Sequence, residues 1–334
     1  MDFQLSDDQR ALRSGMRDLL GAVFDRDRMR AAVERGGGVD RDRGVDRGLW
    51  RELGAAGFFA LRLPEEAGGV GLGLPEAVLL FEEAGRALLP GPLVATHLAA
   101  GLVKGAAEGE AVVTVAEGGG RPVADLGGAD AVLVGGGAGQ GPEVLTGEEL
   151  EAFVAGAVPV RSMDPLTRLH RTTGLAGASE AYPGALRREG ALLSAAEQLG
   201  SAARTTEMAV QHARSREQFG SLIGSFQAVK HLCADMLART EPARSAVYAA
   251  AVTGDPVEIA AAKLLADEAA VRNARDCLQI HGGMGFTWEA DVHLHLKRAW
   301  LRAARWLTAA EAEEVLAADL DPVRPLYSGS AALG

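Results

Sequence analysis

The chain has 334 residues, 48% of them apolar and 24% charged, with a net charge of −11. Length and composition suit a soluble globular protein of two or three structural units of roughly 100–200 residues each, and exclude wholesale disorder. The acidic balance argues against a nucleic-acid surface built on bulk positive charge, and two cysteines, Cys233 and Cys277, are too few for a disulfide framework.

No apolar run reaches the roughly 18 residues that a membrane span requires. The opening MDFQLSDDQR lacks a basic stretch followed by an apolar core, so it does not read as a signal peptide. A cytoplasmic, mostly helical protein is the expectation.

Ser6-Asp7-Asp8-Gln9 reads as a capping box, and Leu12, Met16, Leu19, Leu20 and Val23 follow with helical spacing. A polar, glycine-rich stretch from Arg35 to Gly48 reads as a loop. Trp50, Leu53 and Gly57 suggest a short helix ending in glycine. Pro64-Glu65-Glu66-Ala67-Gly68-Gly69-Val70-Gly71 is a turn. Ala77 to Leu89 is periodic and amphipathic and stops at Pro90-Gly91-Pro92, and Leu93 to Val103 predicts one more helix. Residues 1–108 are therefore expected to form a helical domain.

The pattern changes at Ala111. Val112–Val115 and Ala131–Val134 are short β-branched runs between glycine-rich turns, with Val144-Leu145 a candidate third strand. This predicts a small antiparallel β unit over 109–180. Gly135–Gly141 does not make a phosphate loop, because Pro142-Glu143-Val144-Leu145 after it is no helix start.

From 181 to 320 the chain is helical again, with a tail at 321–334. One helix is expected over 185–214, and a second from Ser225 as N-cap. A third has Asp255 as N-cap with Pro256 at its first turn and runs to about His281. A fourth runs from about Trp288 to Leu316. Four long helices with short connections predict an up-down bundle.

His293 and His295 lie two apart, which on a helix points them about 200° apart and prevents chelation of one ion; no metal site is expected. Cys233 falls on an apolar stripe and reads as packing, and Trp300 and Trp306 read as core or interface.

Two C-terminal motifs are more specific. Arg216-Glu217-Gln218-Phe219-Gly220-Ser221-Leu222-Ile223-Gly224 is followed by Phe226-Gln227-Ala228-Val229-Lys230-His231. Gln279-Ile280-His281-Gly282-Gly283-Met284-Gly285-Phe286 comes later. With the Pro-Glu-Glu-x-Gly-Gly-x-Gly turn and the Phe-x-Leu-Ser-Asp-Asp-Gln-Arg opening, they closely resemble the acyl-CoA dehydrogenase family. The likeness covers 1–105 and 185–305, in the family's order and spacing. It implies a mainly α fold with a small β domain: an N-terminal helical domain, a truncated middle β domain and a C-terminal four-helix bundle.

The resemblance also implies FAD as cofactor. Arg216, Gln218, Phe219 and Gln227 would touch the FAD of a neighbouring subunit, and Gln279, Ile280, His281, Gly282 and Gly283 would line the same dinucleotide. The residue types suit this: a guanidinium is a fixed fork for a pyrophosphate, and glycines admit close backbone approach.

Two departures matter. Where the family carries a Thr-Glu-Pro segment that holds the flavin ring, this chain has Val115-Ala116-Glu117-Gly118, in a β unit of about half the family's length. Where many members carry the glutamate base, a position-by-position match puts Trp306. Other members use a carboxylate early in the first bundle helix. Glu189, within one residue of that place, and Glu197, on a largely apolar helix, are the candidate bases, since burial raises a carboxyl pKa toward neutrality.

The activity implied is flavin-dependent α,β-dehydrogenation of an acyl-CoA or other acyl-thioester in fatty-acid or lipid metabolism, with electrons passed to an electron-transfer flavoprotein. The chain would act as a homo-oligomer, or as the short subunit of a heteromer with a full-length acyl-CoA dehydrogenase subunit. The alternative is a non-catalytic structural subunit or a flavin-free acyl-thioester binder. In an oligomer, Leu278, Phe286, Leu294, Leu296 and Trp300 are candidates for an apolar interface.

Overall fold

A computed structural model describes residues 4–36, 45–118, 120–135, 141–172 and 184–320. Helix α1 (Asp7–Val23) opens on a reciprocal cap: Ser6 Oγ accepts from the Gln9 N–H and Gln9 Oε1 from the Ser6 N–H, both at 3.1 Å. Helix α2 (Arg26–Gly36) was not foreseen. It is polar, and two buried residues one turn apart, Met29 and Val33, carry its inner face. Helix α3 (Arg47–Ala55) is capped by Asp46, whose Oδ1 accepts from the Leu49 N–H at 3.0 Å, and it buries Leu49, Trp50 and Leu53. The turn over 64–71 leads into α4 (Leu74–Arg86), and α5 (Leu93–Ala99) follows.

The middle segment carries β1 (Val113–Val115), β2 (Val123–Ala124), β3 (Ala131–Val134), β4 (Glu143–Leu145), α6 (Gly147–Ala155), β5 (Ala157–Val160) and β6 (Leu169–Thr172). These strands form two small sheets, ordered β1-β3-β4 and β2-β6-β5. The expectation of a purely antiparallel unit is corrected at one place: β1 and β3 are parallel, with Val113 opposite Ala131. The connection between them, residues 116–130, contributes β2 to the other sheet, and this crossover returns the chain in the same direction. Residues 136–140 of the glycine-rich run lie outside the described residues.

The C-terminal bundle starts with α7 (Gly184–Ser215). A hairpin of β7 (Glu217–Gln218) and β8 (Ser221–Leu222) then leads into α8 (Gln227–Thr253) and α9 (Pro256–His281), followed by α10 (Val292–Ala303) and α11 (Ala309–Asp319). Two expectations are corrected. Phe226, not Ser225, caps α8; the Ser225 hydroxyl instead donates to the Leu222 carbonyl at 2.7 Å. The single last helix is two, because Thr308 and Glu311 form a reciprocal cap that starts α11 afresh.

Glycines set how closely the N-terminal domain meets the bundle. A Cβ at Gly85 in α4 would overlap the Glu197 carbonyl, and one at Gly200 in α7 would overlap the Glu82 carbonyl. The two helices therefore cross backbone to backbone. Buried acids beside this crossing are paired. Glu83 accepts two bonds from Arg17 of α1, at 2.8 and 2.6 Å. Glu82 accepts from Arg244 and, at 2.6 Å, from the Tyr248 hydroxyl, both on α8. In the bundle core, Asn273 of α9 donates to the Met236 carbonyl (3.0 Å) and to Thr240 (2.9 Å) of α8 and Thr206 (3.2 Å) of α7, which fixes three helices in register.

Candidate functional site

The C-terminal ends of α7 and α9 and the start of α8 meet at one end of the bundle. The α7–α8 connection is a two-residue hairpin with Phe219 (φ +55°) and Gly220 (φ +73°) at its tip, both left-handed as such a tight turn requires. It holds the Phe219 side chain 93% exposed. Arg216 and Gln218 are exposed on the same connection, and Gln227 is exposed at the first position of α8.

The α9 terminus ends at Gly282, with φ +61° and ψ −144°, a conformation open in practice to glycine alone. No atom lies within 4 Å of where a Cβ would stand on Gly282 or Gly283, so both present bare backbone to open space.

The two motifs are joined by a pair of imidazoles. His212, one turn before Arg216, stacks on His281 with ring centroids 4.1 Å apart. His281 Nδ1 lies 2.8 Å from the Cys277 carbonyl. Partial burial, then the neighbouring His281 and the Arg216 charge, lower the His212 pKa below its ordinary value. Gln279 is exposed at the α9 end, whereas Ile280 turns inward and packs in the second core cluster.

Of the apolar residues expected at an interface, Leu278, Leu294 and Leu296 are buried within the chain itself. Phe286 (75% exposed) and Trp300 are at the surface, joined by Met284 and Trp288.

A second region lies between the β unit and the bundle. Arg298, Arg302 and Arg305 descend one face of α10 and the turn after it, each ion-paired: Arg298 with Asp164, Arg302 with Glu197 at 2.7 Å, and Arg305 with Glu117. Glu197 is buried. Burial raises its carboxyl pKa, while Arg302 and Arg298 pull the other way. Burial lowers Arg302 to about 10 despite Glu197. Asp125, at the edge of the same cleft, is pushed up by burial to about 6. Glu189 is half-buried and accepts from Arg62 Nη1 at 2.6 Å. Both candidate bases are therefore held by arginines.

Sequence reasoning missed this cluster. Its signal was arginine at i, i+4 and i+7, which places three guanidinium groups on one helix face.

The loop after α10 carries Trp306, which is buried with φ +61°. His295 pairs with the Ser201 hydroxyl at 2.8 Å and His293 Nδ1 lies 3.2 Å from Lys297 Nζ, so the two imidazoles have separate partners. Among the described residues no group of three or more His, Cys, Asp or Glu is placed to hold a metal ion, and no helix is long and apolar enough to cross a membrane. Cys233 packs against the second core cluster, and burial raises its thiol pKa.

The helical N-terminal domain, short β segment and bundle define an acyl-CoA dehydrogenase-like fold. The N-terminal domain of acyl-CoA dehydrogenases matches residues 6–108 and the C-terminal domain residues 187–313. Acyl-CoA dehydrogenase IpdE2 of Mycobacterium tuberculosis is 39% identical over 266 residues, covering 77% of this chain and 82% of its own. Acyl-CoA dehydrogenase FadE34 of the same organism is 36% identical over 331 residues; the match covers 86% of this chain and 47% of FadE34, so this chain spans about half of that relative.

Among solved structures, a variant of the Tcur3481-Tcur3483 steroid ACAD has a TM-score of 0.78 at 25% identity, covering 93% of this chain and 97% of that one. The ChsE4-ChsE5 complex from Mycobacterium tuberculosis has a TM-score of 0.79 at 24% identity, covering 97% and 100%. The chain belongs to the acyl-CoA dehydrogenase family.

Proposed function

We propose that this chain is the short subunit of an FAD-dependent acyl-CoA dehydrogenase. In this reading the assembly acts on an acyl-thioester in the cytoplasm and passes electrons to an electron-transfer flavoprotein, and this chain completes a flavin site shared with a neighbouring subunit. One observation carries the reading: Arg216, Gln218, Phe219, Gln227, Gln279 and the bare backbone of Gly282-Gly283 are gathered and exposed at one end of the bundle. The residues fit a dinucleotide. Arg216 offers a permanent positive fork to a pyrophosphate. The open space over Gly282 and Gly283 admits an atom that a Cβ would repel, and the exposed Phe219 ring is an apolar wall. Bound flavin would supply the hydride acceptor, and the protein supplies orientation and electrostatics.

The exposed rings of Phe219, Phe286 and Trp288 support an oligomer, since leaving apolar surface in water costs about 25 cal/mol per Å². The likeness to a steroid ACAD supports a bulky, steroid-derived acyl group.

The test is flavin content. The purified protein, alone and co-expressed with a full-length acyl-CoA dehydrogenase from a neighbouring gene, should carry the flavin absorption band and bleach on addition of acyl-CoA. Arg216→Ala should lower flavin occupancy while helical content stays intact. Absence of flavin in both preparations refutes the reading, as does a monomer with full flavin content.

A second reading, a subunit without its own catalytic base, is favoured by the ion pairs that engage Glu189 and Glu197. Full turnover of the assembly in Glu189→Gln, Glu197→Gln and the double variant supports it. Loss of turnover in either single variant, with flavin retained, assigns the base to this chain.

A further inference from the structure

Three groups hold Trp306 in a conformation that a bulky residue adopts only under constraint. Its N–H donates to Glu117 Oε2 at 2.7 Å, and its carbonyl accepts from Arg187 Nε at 2.6 Å. Its ring lies on Gly190 of α7 so closely that a Cβ there would overlap the indole. The helix has given up a side chain where the tryptophan needs room. Only 4% of Trp306 is exposed.

The neighbours of the indole close the rest of the cleft. Arg298 and Arg305 cross it to Asp164 and Glu117 of the β unit, and Arg302 pairs with Glu197 in its bundle wall. The space left is about 60 Å³, lined by Ser194, Thr167, Asp125 and these arginines. That is room for a few waters, against roughly 300–1,000 Å³ for a ligand pocket. An entering acyl group must expel the indole or part a buried ion pair, and a parted pair leaves an uncompensated charge.

We propose that Trp306 is a stopper: with the arginine–carboxylate pairs beside it, it seals this chain's own β–bundle cleft against an acyl-thioester, so the acyl group is bound by the partner subunit. The inference rests on the short-subunit reading above and deepens it. Glu117, in the segment where the family resemblance would put a contact to the flavin ring, here turns to the bundle and fixes the stopper. Trp306 also stands where that resemblance would put a glutamate base, so absence of that glutamate and closure of the cleft coincide in one residue. An open cleft without a base would hold substrate unproductively; a closed one leaves it to the competent subunit.

Hydrogen exchange on the assembled, flavin-loaded protein tests this. In the wild type, octanoyl-CoA should leave peptides covering 188–199 and 301–308 unchanged; protection of either overturns the proposal. Trp306→Gly should raise exchange in the same peptides by roughly ten-fold as the loop loses its anchor, and indole should reverse the increase by refilling the hole. Wild-type exchange rates in Trp306→Gly overturn it equally. If that variant does not fold, the wild-type arm decides alone. Flavin content is independent of both arms: a protein that never takes up flavin refutes the short-subunit reading, whereas protection at 188–199 in a flavin-loaded protein refutes only the stopper.

Discussion

The Glu197–Arg302 pair offers a measurable asymmetry. The two side chains are each 8% exposed and meet at 2.7 Å. Glu197→Leu leaves a buried guanidinium without its carboxylate, and the guanidinium cannot shed its proton near neutral pH. Removing one partner of a buried pair typically costs about 3–5 kcal/mol, and Glu197→Leu should fall in that range. Arg302→Leu should cost less, about 2 kcal/mol, because a buried carboxyl can neutralise itself and burial already raises the Glu197 pKa.

The double variant should cost less than the sum of the two single effects, with a coupling of about 2–3 kcal/mol. Urea unfolding followed by circular dichroism, extrapolated linearly to water, gives the three values. The Arg302→Leu deficit should also shrink as pH falls and Glu197 takes up a proton. Two single effects that simply add, or an Arg302→Leu cost larger than that of Glu197→Leu, refute the reasoning.

Acid should destabilise the fold through two buried imidazoles. Burial first, aided by arginine charges, lowers His295 to about 3, and burial lowers His97 to about 4. The unfolded chain then binds protons first, so stability is full above about pH 6.5 and is lost as pH falls, by ~2 kcal/mol per histidine at about pH 5. Asp125 acts in the opposite sense, because burial raises it to about 6 and the folded state takes its proton first. Asp125→Asn should therefore steepen the fall of melting temperature between about pH 6 and 4, and a shallower fall contradicts the assignment. Gly200→Ala should destabilise by about 2 kcal/mol or more, because the added methyl meets the Glu82 backbone rather than a movable side chain; an unchanged melting temperature refutes the close crossing. Phe219→Gly should stabilise the hairpin slightly by relieving a left-handed backbone, by about 1 kcal/mol or less, yet lower flavin occupancy if the ring is a cofactor wall. Retained occupancy removes Phe219 from the site.

Local rules were enough for much of this chain. The Ser6–Gln9 box, Asp255-Pro256 and the glycine stops are decided by bonds between residues a few positions apart, so their spelling is their structure. The same holds for the two motifs of the bundle end, each continuous in sequence. Helix α2 escaped notice because its apolar stripe is only two buried residues wide, below what periodicity can register. The break after α10 was written in Thr308 and Glu311, but the apolar pattern ran across it.

Tertiary structure alone decided what lies between the β unit and the bundle. The parallel pairing of β1 with β3 depends on where a crossover returns, which no local propensity states. Whether Glu197 is a free base or half of a buried pair depends on Arg302, 105 residues away. The meaning of Gly190 depends on Trp306, 116 positions later, whose ring fills the space that the missing side chain leaves. Those contacts are non-local: charge, volume and burial at one position are set by residues that only the folded chain brings near.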